Sequence, residues 1–587
     1  MKYLLVGLLS IFTSLTAFTQ NADPRLSGID SLIDNLLKEW KVPGLSVAIV
    51  EKNKPLLVKG YGYRDMENRK PVTGHTIFSI GSCTKAFTAA MLSLAIESNK
   101  LDLDQPIQEY LPELRFYNSE LTAAISLRDM LTHRTGLPRH DYAWYSGFAT
   151  TRDSLLRLIR YLEPSAPLRQ TFQYNNYMYA AIGSLLEKIN NRSWEEQLNQ
   201  QLFLPLNMQH SFVGSQSAKA DFSYGYMIKD GQIKRLDFMP PALWGMAPAG
   251  GINSCASDMA NWLLMWTNQG LFQGKEILSR SFYQQAISSQ MVVNANLPSV
   301  YLPDYFFFNY GLGWYISNYR GHYGVGHGGN VNGFSSFVSF LPTDSIGLFI
   351  SANQNNSPLP RIVHNLILDR LIAASPRNWN DMLKQTMPTA GKADADMPDS
   401  AATSHAMTSF TGVYSSKAYG TITIQHRDNE LYGTFNRWKL TIKHLRHNYF
   451  RFSIDADVFD GSEALEAEFR ISPAGQIAKL QLQLEPAVEA IEFVKEEATV
   501  AQSVDAGIYT GNYQMAGKTV RVFLKNGTLV AQVSGQPEYI LVSSSPHTFE
   551  VKAVKGYTVQ FHQDPQGLIT GFTMQVPGGA VHATRVR

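Results

Sequence analysis

Cysteine is nearly absent from this 587-residue chain: Cys83 and Cys255 are the only two. Two thiols cannot staple a chain of this length into a disulfide scaffold. Nor can they found a zinc finger, because the histidines are scattered without finger-like spacing. Two buried free thiols are the expected state. An excess of charge is missing as well. Lys plus Arg number 51 against 49 Asp plus Glu, with no block of basic residues, so the electrostatic footprint of a nucleic-acid or anionic-membrane partner is lacking. After the first twenty residues there is no apolar run of about eighteen, the length a membrane-spanning helix needs.

What is present begins with a leader. MKYLLVGLLSIFTSLTAFTQN places Lys2 before an apolar stretch from Tyr3 to about Leu15, with small residues at Ala17 and Thr19. That is the layout of a secretory signal cut near Thr19, too short for a membrane span and followed by no cysteine for a lipid anchor. An exported protein, periplasmic or secreted, is expected. A content of 44% hydrophobic residues can bury sizeable cores, and the length predicts about two to four domains.

Along the chain, residues 30–40 have helical spacing, and LSVAIVEKNKPLLVKGYGY reads as two strands around a turn at Lys52 to Pro55. Helical segments follow near residues 84–97, 153–162, 177–190 and 257–269. FSSFVSFLPTDSIGLFISANQ then gives a second hairpin around Pro342 to Ser345, before the amphipathic helix LPRIVHNLILDRLIAA. Strands at both ends with helices between predict an α+β domain whose antiparallel sheet is assembled from its two termini, with an inserted helical subdomain. Residues 379–407 are small and polar and read as a linker. Beyond it, FTGVY and YTGNY each open a run of short alternating strands with an Asn-containing turn, Asp428-Asn429 and Asn526-Gly527. Two related antiparallel β modules, barrel-like and spanning 408–498 and 503–587, are the economical reading. The domain plan is thus signal 1–19, α+β domain 20–378, linker and two modules.

FSIGSCTKAF, residues 78–87, places Ser82 and Lys85 at the mouth of an apolar run with no further charge until Glu97. Positions i and i+3 share a helix face, so the ammonium would stand beside the hydroxyl at a helix start. Tyr174 and Asn176 form Y-x-N just before a helical run. His327, Gly328 and Gly329 precede Asn330 and a strand, and two glycines allow close backbone approach to a substrate.

In this order, SCTK, YNN and HGG resemble the motifs S-x-x-K, Y-x-N and [KH]-x-G of the serine hydrolase family that includes class C β-lactamases, D-alanyl-D-alanine carboxypeptidases, D-amino acid peptidases and related esterases. VPGLSVAIV, SLRDMLTHRTGLP, APAGGINSCASDMANWL and YGLGWYI agree, and the likeness covers about residues 25–375. It implies a β-lactamase/transpeptidase-like fold and an acyl-enzyme on Ser82. Lys85 would lower the proton affinity of Ser82, and Tyr174 would accept its proton as a phenolate favoured by Lys85. Asn176 would orient Lys85 and bind substrate, and the amides of Ser82 and Asn330, the latter set by Gly329, would form the oxyanion hole. His327 stands where a β-lactamase of this class offers lysine. A histidine is only partly charged near neutral pH, and Gly328 brings no hydroxyl, so β-lactam cleavage is expected as a side activity at best.

The expected function is hydrolysis of an amide or ester of a small or peptide-like substrate, with no cofactor and no metal. A β-lactamase or carboxypeptidase, and a non-catalytic penicillin-binding or sensor-like protein, are the alternatives. If neutral His327 is the useful form, activity should rise with pH through the histidine range. His133 reads as a structural residue under the site, and residues 144–148 and 301–310 as aromatic walls of an acyl pocket.

Overall fold

The computed structural model describes residues 23–386, 401–496 and 506–586, apart from internal positions 99, 215–220, 239, 295–303, 305, 456–463, 526–527, 546, 553, 555–556, 565 and 577–578. The leader and the Asn526-Gly527 turn lie outside the described residues. Among the described residues, no helix is long and apolar enough to cross a membrane.

The first domain is built on a nine-stranded antiparallel sheet in the order Met291–Asn294, Phe308–Tyr310, Tyr315–Tyr319, His322–Val331, Phe334–Leu341, Ile346–Ala352, Gly44–Glu51, Lys54–Asp65 and Lys70–Pro71. The N-terminal hairpin joins the C-terminal one directly: Leu45 pairs with Ala352 and Glu51 with Ile346. The central strands are apolar along almost their whole length because both faces are covered. Val47 and Ile49 point to the side occupied by helices Ile29–Glu39 and Leu359–Leu371. Ala48 and Val50 point to the opposite core, with helices Thr84–Glu97 and Ala256–Thr267. Helix Thr84–Glu97 is buried around nearly its whole circumference, which explains its lack of an amphipathic stripe.

A second, three-stranded sheet of Phe78–Ser79, Ile252–Ser254 and Phe212–Val213, with Ile252–Ser254 central, carries the chain into the serine motif. The stretch read as a linker starts later than expected. Trp379–Thr386 forms a helix against Leu359–Leu371, with the Trp379 indole buried and donating to Asp369 Oδ2 at 2.7 Å. One large aromatic with a buried acceptor outweighs the polar composition around it.

Each β module is a closed eight-stranded barrel, the first from Gly412–Ser416 to Ile491–Lys495 and the second from Gly511–Met515 to Gly579–Val586. The repeated openings have one physical meaning. In the first barrel Tyr414 donates its hydroxyl proton to Phe410 O at 2.9 Å; in the second Tyr513 donates to Tyr509 O at 2.7 Å. Each buried tyrosine thereby ties the strand to the 3-10 turn that precedes it. Asp428 and Asn429 both have positive φ, 53° and 64°, as a tight hairpin turn demands.

Candidate active site

Gly81, at φ +53°, turns the chain from strand Phe78–Ser79 into the 3-10 turn Gly81–Cys83, and helix Thr84–Glu97 follows. Lys85 is fully buried on that helix. Its Nζ lies 3.2 Å from Ser82 Oγ, 2.7 Å from Asn176 Oδ1 and 2.8 Å from Ala249 O. Asn176 opens helix Asn176–Asn190, and its Nδ2 donates to Asp141 Oδ1 at 3.1 Å, which turns its oxygen toward the lysine. Burial, reinforced by the nearby Arg139 charge, drives the Lys85 amine well below its usual range. Whenever the amine is neutral, its two N–H groups can go to the two carbonyl oxygens, which leaves its lone pair facing Ser82.

The Tyr174 hydroxyl lies close enough to Ser82 for the serine to favour its ionised form. Lys85 Nζ lies 4.6 Å and the Arg139 guanidinium 5.0 Å from the centre of the Tyr174 ring. The expected phenolate is not what this environment favours. Burial, and secondarily Tyr315, push the phenol well above its usual value, against the opposing effects of Ser82 and Arg139. Desolvation disfavours both charged forms at once, the ammonium of Lys85 and the phenolate of Tyr174. His133 sits beneath, buried, with its ring 4.4 Å from that of Tyr174 and its Nδ1 accepting from the Asn175 N–H at 3.1 Å. Cys83 is a buried free thiol whose Sγ faces His327 O at 3.4 Å, and burial pushes it up to about 12; Cys255 is buried and free as well.

Gly329 and Asn330 lie on strand His322–Val331, which packs on the serine turn. A Cβ on Gly329 would stand 1.9 Å from Ile80 O and 3.1 Å from the Ser82 amide nitrogen; one on Gly81 would stand 2.9 Å from the Asn330 amide nitrogen. The two glycines let the Ser82 and Asn330 amides come together. His327 departs from the expectation of a substrate contact. It is buried, with Nε2 3.0 Å from Tyr310 OH and Nδ1 2.6 Å from Gly328 O, and it does not line the cleft. Burial lowers it from 6.5 to about 3. It is therefore neutral throughout the histidine range, and no rise in activity there is owed to it. The pH profile of kcat/KM between about pH 5 and 8 is expected to have the same shape in the wild type and in His327→Gln; a limb that disappears in the variant would reverse this assignment.

Ser82, Asn176 and Asn330 open into a cleft of about 310 Å³. Its walls carry Asn253, Asn332 and Asn355 together with Trp144, Tyr145 and Trp244. Residues 144–148 thus supply an aromatic wall as expected. Of residues 301–310, 301–303 and 305 lie outside the described residues; the described ones do not line the cleft, and Tyr310 is buried behind it against His133 and His327.

Sequence reasoning missed Arg139 and Asp141, which line the cleft and pair at 2.6 Å. Their one signal is position, directly after LTHRTGLP. The first barrel holds this segment from behind. His140 donates its N–H to Glu485 Oε2 at 2.8 Å and meets Tyr419 OH at 2.7 Å through Nδ1, while Arg437 Nε donates to Tyr145 O at 3.1 Å.

Residues 29–371 match the model of the Beta-lactamase family. The chain belongs to the beta-lactamase family. Residues 397–497, over the first barrel, match a domain of unknown function, DUF3471. The "Unguisins hydrolase ungD'" of Aspergillus campestris is 27% identical over 522 residues, covering 83% of this chain and 95% of that protein. "Protein flp" of Staphylococcus aureus is 24% identical over 345 residues, 58% of this chain and 65% of its own length. Among solved structures, the octameric penicillin-binding protein homologue from Pyrococcus abyssi superposes with a TM-score of 0.54 at 23% identity, covering 80% of this chain and 99% of its own, a likeness of fold. The first domain therefore has the β-lactamase/transpeptidase-like fold, and this protein is a beta-lactamase-family hydrolase carrying two appended barrels.

Proposed function

We propose that this protein is an exported serine hydrolase that acylates Ser82 and cleaves an amide or ester of an uncharged, peptide-like substrate. The observation that carries the reading is the buried Lys85 amine 3.2 Å from Ser82 Oγ, with two carbonyl oxygens occupying its N–H groups. The Ser82 proton passes to Lys85 Nζ as Oγ adds to the substrate carbonyl, and the amides of Ser82 and Asn330 hold the oxyanion. Tyr174 gives its hydroxyl proton to the leaving group as the scissile bond breaks. Its phenolate, now beside the Lys85 ammonium, takes a proton from the attacking water. When the second intermediate collapses, Lys85 returns its proton to Ser82 and both groups are neutral again.

The chemistry of the cleft supports the substrate class. Side-chain amides suit peptide groups, and the aromatic wall suits an apolar side chain. Arg139, the one cation among the described lining residues, already pairs through Nε with Asp141, and His327 is neutral, so the cleft has no cation dedicated to a substrate carboxylate alone. That argues against a β-lactamase or a D-alanyl carboxypeptidase. The similarity to a protein named an unguisins hydrolase agrees with a hydrolytic role. Export rests on the leader alone.

The test is intact-protein mass, with turnover followed in the same tube, after mixing with a neutral p-nitrophenyl ester, a blocked peptide amide and penicillin. A Ser82-dependent acyl adduct or turnover with the neutral substrates, and little of either with penicillin, is expected. Penicillin as the preferred acyl donor would restore the β-lactamase or carboxypeptidase reading, and no reaction with any of the three would leave a binding protein.

A further inference from the structure

Away from the cleft, the three short strands that lead into it end in a cluster of metal-ligating side chains. His75 precedes strand Phe78–Ser79, His210 precedes Phe212–Val213, and Cys255 follows Ile252–Ser254. The strands are antiparallel, with Phe78 opposite Ser254 and Phe212 opposite Asn253. This register brings the starts of the two outer strands and the end of the central one to the same edge. Asp258, in the first turn of helix Ala256–Thr267, completes the group. One ligand atom each from His210, Cys255 and Asp258 lie within 4.8 Å of one another.

The donors are already oriented. Asp258 Oδ2 accepts from the His210 N–H, the Ser211 N–H and Ser211 Oγ, each at 2.8 Å. Its other oxygen faces His210 Nδ1 at 3.2 Å. Two ligands of one tetrahedral zinc stand about 3.3–3.7 Å apart, given bond lengths of about 2.0–2.3 Å, so this pair needs to open only slightly to share an ion. His75 stands beside this group rather than within it: its ring lies 5.0 Å from that of His210, centre to centre, and its Nδ1 meets Ser257 Oγ at 3.0 Å, so it would join by turning Nε2 toward the ion. Ser257 also contacts Cys255 Sγ at 3.1 Å. Hydrogen bonds that fix the far side of a ligand are the usual support of a metal site.

We infer that His210, Cys255 and Asp258, joined by His75 as fourth ligand, form a structural site for a divalent transition metal of zinc type. One thiolate and one carboxylate neutralise the dication; the Cys255 thiol releases its proton to solvent as the Sγ–metal bond forms. The set of one sulfur, two imidazoles and one carboxylate suits zinc in a closed tetrahedron, with no open position for a substrate. Its effect is to pin three strands that carry Ser79, Val213 and Asn253 of the cleft wall. The ligands come from three segments far apart in sequence, with only Cys255 and Asp258 close together, which is why no finger-like spacing announces them.

The test uses the full mature chain, stripped with chelator and then given zinc or cobalt(II). Retained metal is measured by mass spectrometry after desalting, cobalt–thiolate charge transfer by absorbance, and the melting temperature with and without zinc. One ion per chain, a thiolate band, and a melting temperature raised by zinc are expected. His210→Ala and His75→Ala, at surface-accessible positions, should weaken binding at least about tenfold with unchanged circular dichroism, and Cys255→Ser should remove the band. A wild-type chain that retains no metal at micromolar zinc would overturn the proposal. So would variants that bind as tightly as the wild type.

Discussion

Lys85→Met is expected to lower kcat/KM for a neutral ester by about 10³-fold or more, within and beyond the range usual for a positioned base. Methionine matches the length of the lysine stem in a helix that is buried all round, so the helix should form. The cost to stability comes from Asn176 Oδ1 and Ala249 O, which lose their donor; an unpaired buried acceptor costs about 1–3 kcal/mol. The removal of a desolvated amine offsets part of it. The pH profile separates a catalytic loss from a structural one. Because the amine is active when neutral and its pKa is lowered by burial, wild-type activity should rise with pH as Lys85 loses its proton and then level off. In Lys85→Met that limb should vanish from the residual activity. Stopped-flow acylation across pH, beside a thermal melt, makes the measurement. A loss under about tenfold, or a rising limb that survives, would remove Lys85 as the base and return the role to Tyr174.

Gly329→Ala is expected to lower kcat by about 10²–10³-fold, the scale of losing one oxyanion donor. The added Cβ would meet Ile80 O at 1.9 Å, which no side-chain rotation relieves because both partners are backbone. Strand His322–Val331 must retreat from the serine turn, and the Asn330 amide goes with it. Gly328→Ala is the control: its Cβ would meet only Ser336 O, at 3.8 Å, and its kcat should stay within a few fold. Steady-state kinetics on the pair, with melting temperatures, decides. Equal losses in both variants would mean that strand flexibility matters rather than the approach of Gly329 to the serine turn.

The likeness of two distant segments to one another was legible in the chain before any fold was known. FTGVY and YTGNY predict two related modules, and both become barrels with the same tyrosine tie, because strand alternation and a tyrosine four residues past an aromatic are local facts. The same holds for the buried lysine. A helix with no other charge until Glu97 has no exposed face on which to put Lys85, and the structure leaves it fully buried. The helix Trp379–Thr386 was missed because its apolar contact, Trp379, finds its partner on another helix rather than in the polar run around it. Arg139 and Asp141 were missed because nothing in R-H-D distinguishes a cleft from a loop until Asn176 and the first barrel close on it.

By itself the sequence determined an α+β domain followed by two β modules, the buried placement of Lys85 and its spacing from Ser82, since residue type, short spacing and periodicity are carried locally. Tertiary structure alone decided which protonation states the site favours. His327 is neutral because it lies buried under Tyr310 rather than in the cleft. The Lys85 amine is driven below its usual range and the Tyr174 phenol above it because distant segments remove water from both. Desolvation is a property of everything packed around a group, and no window of sequence contains it.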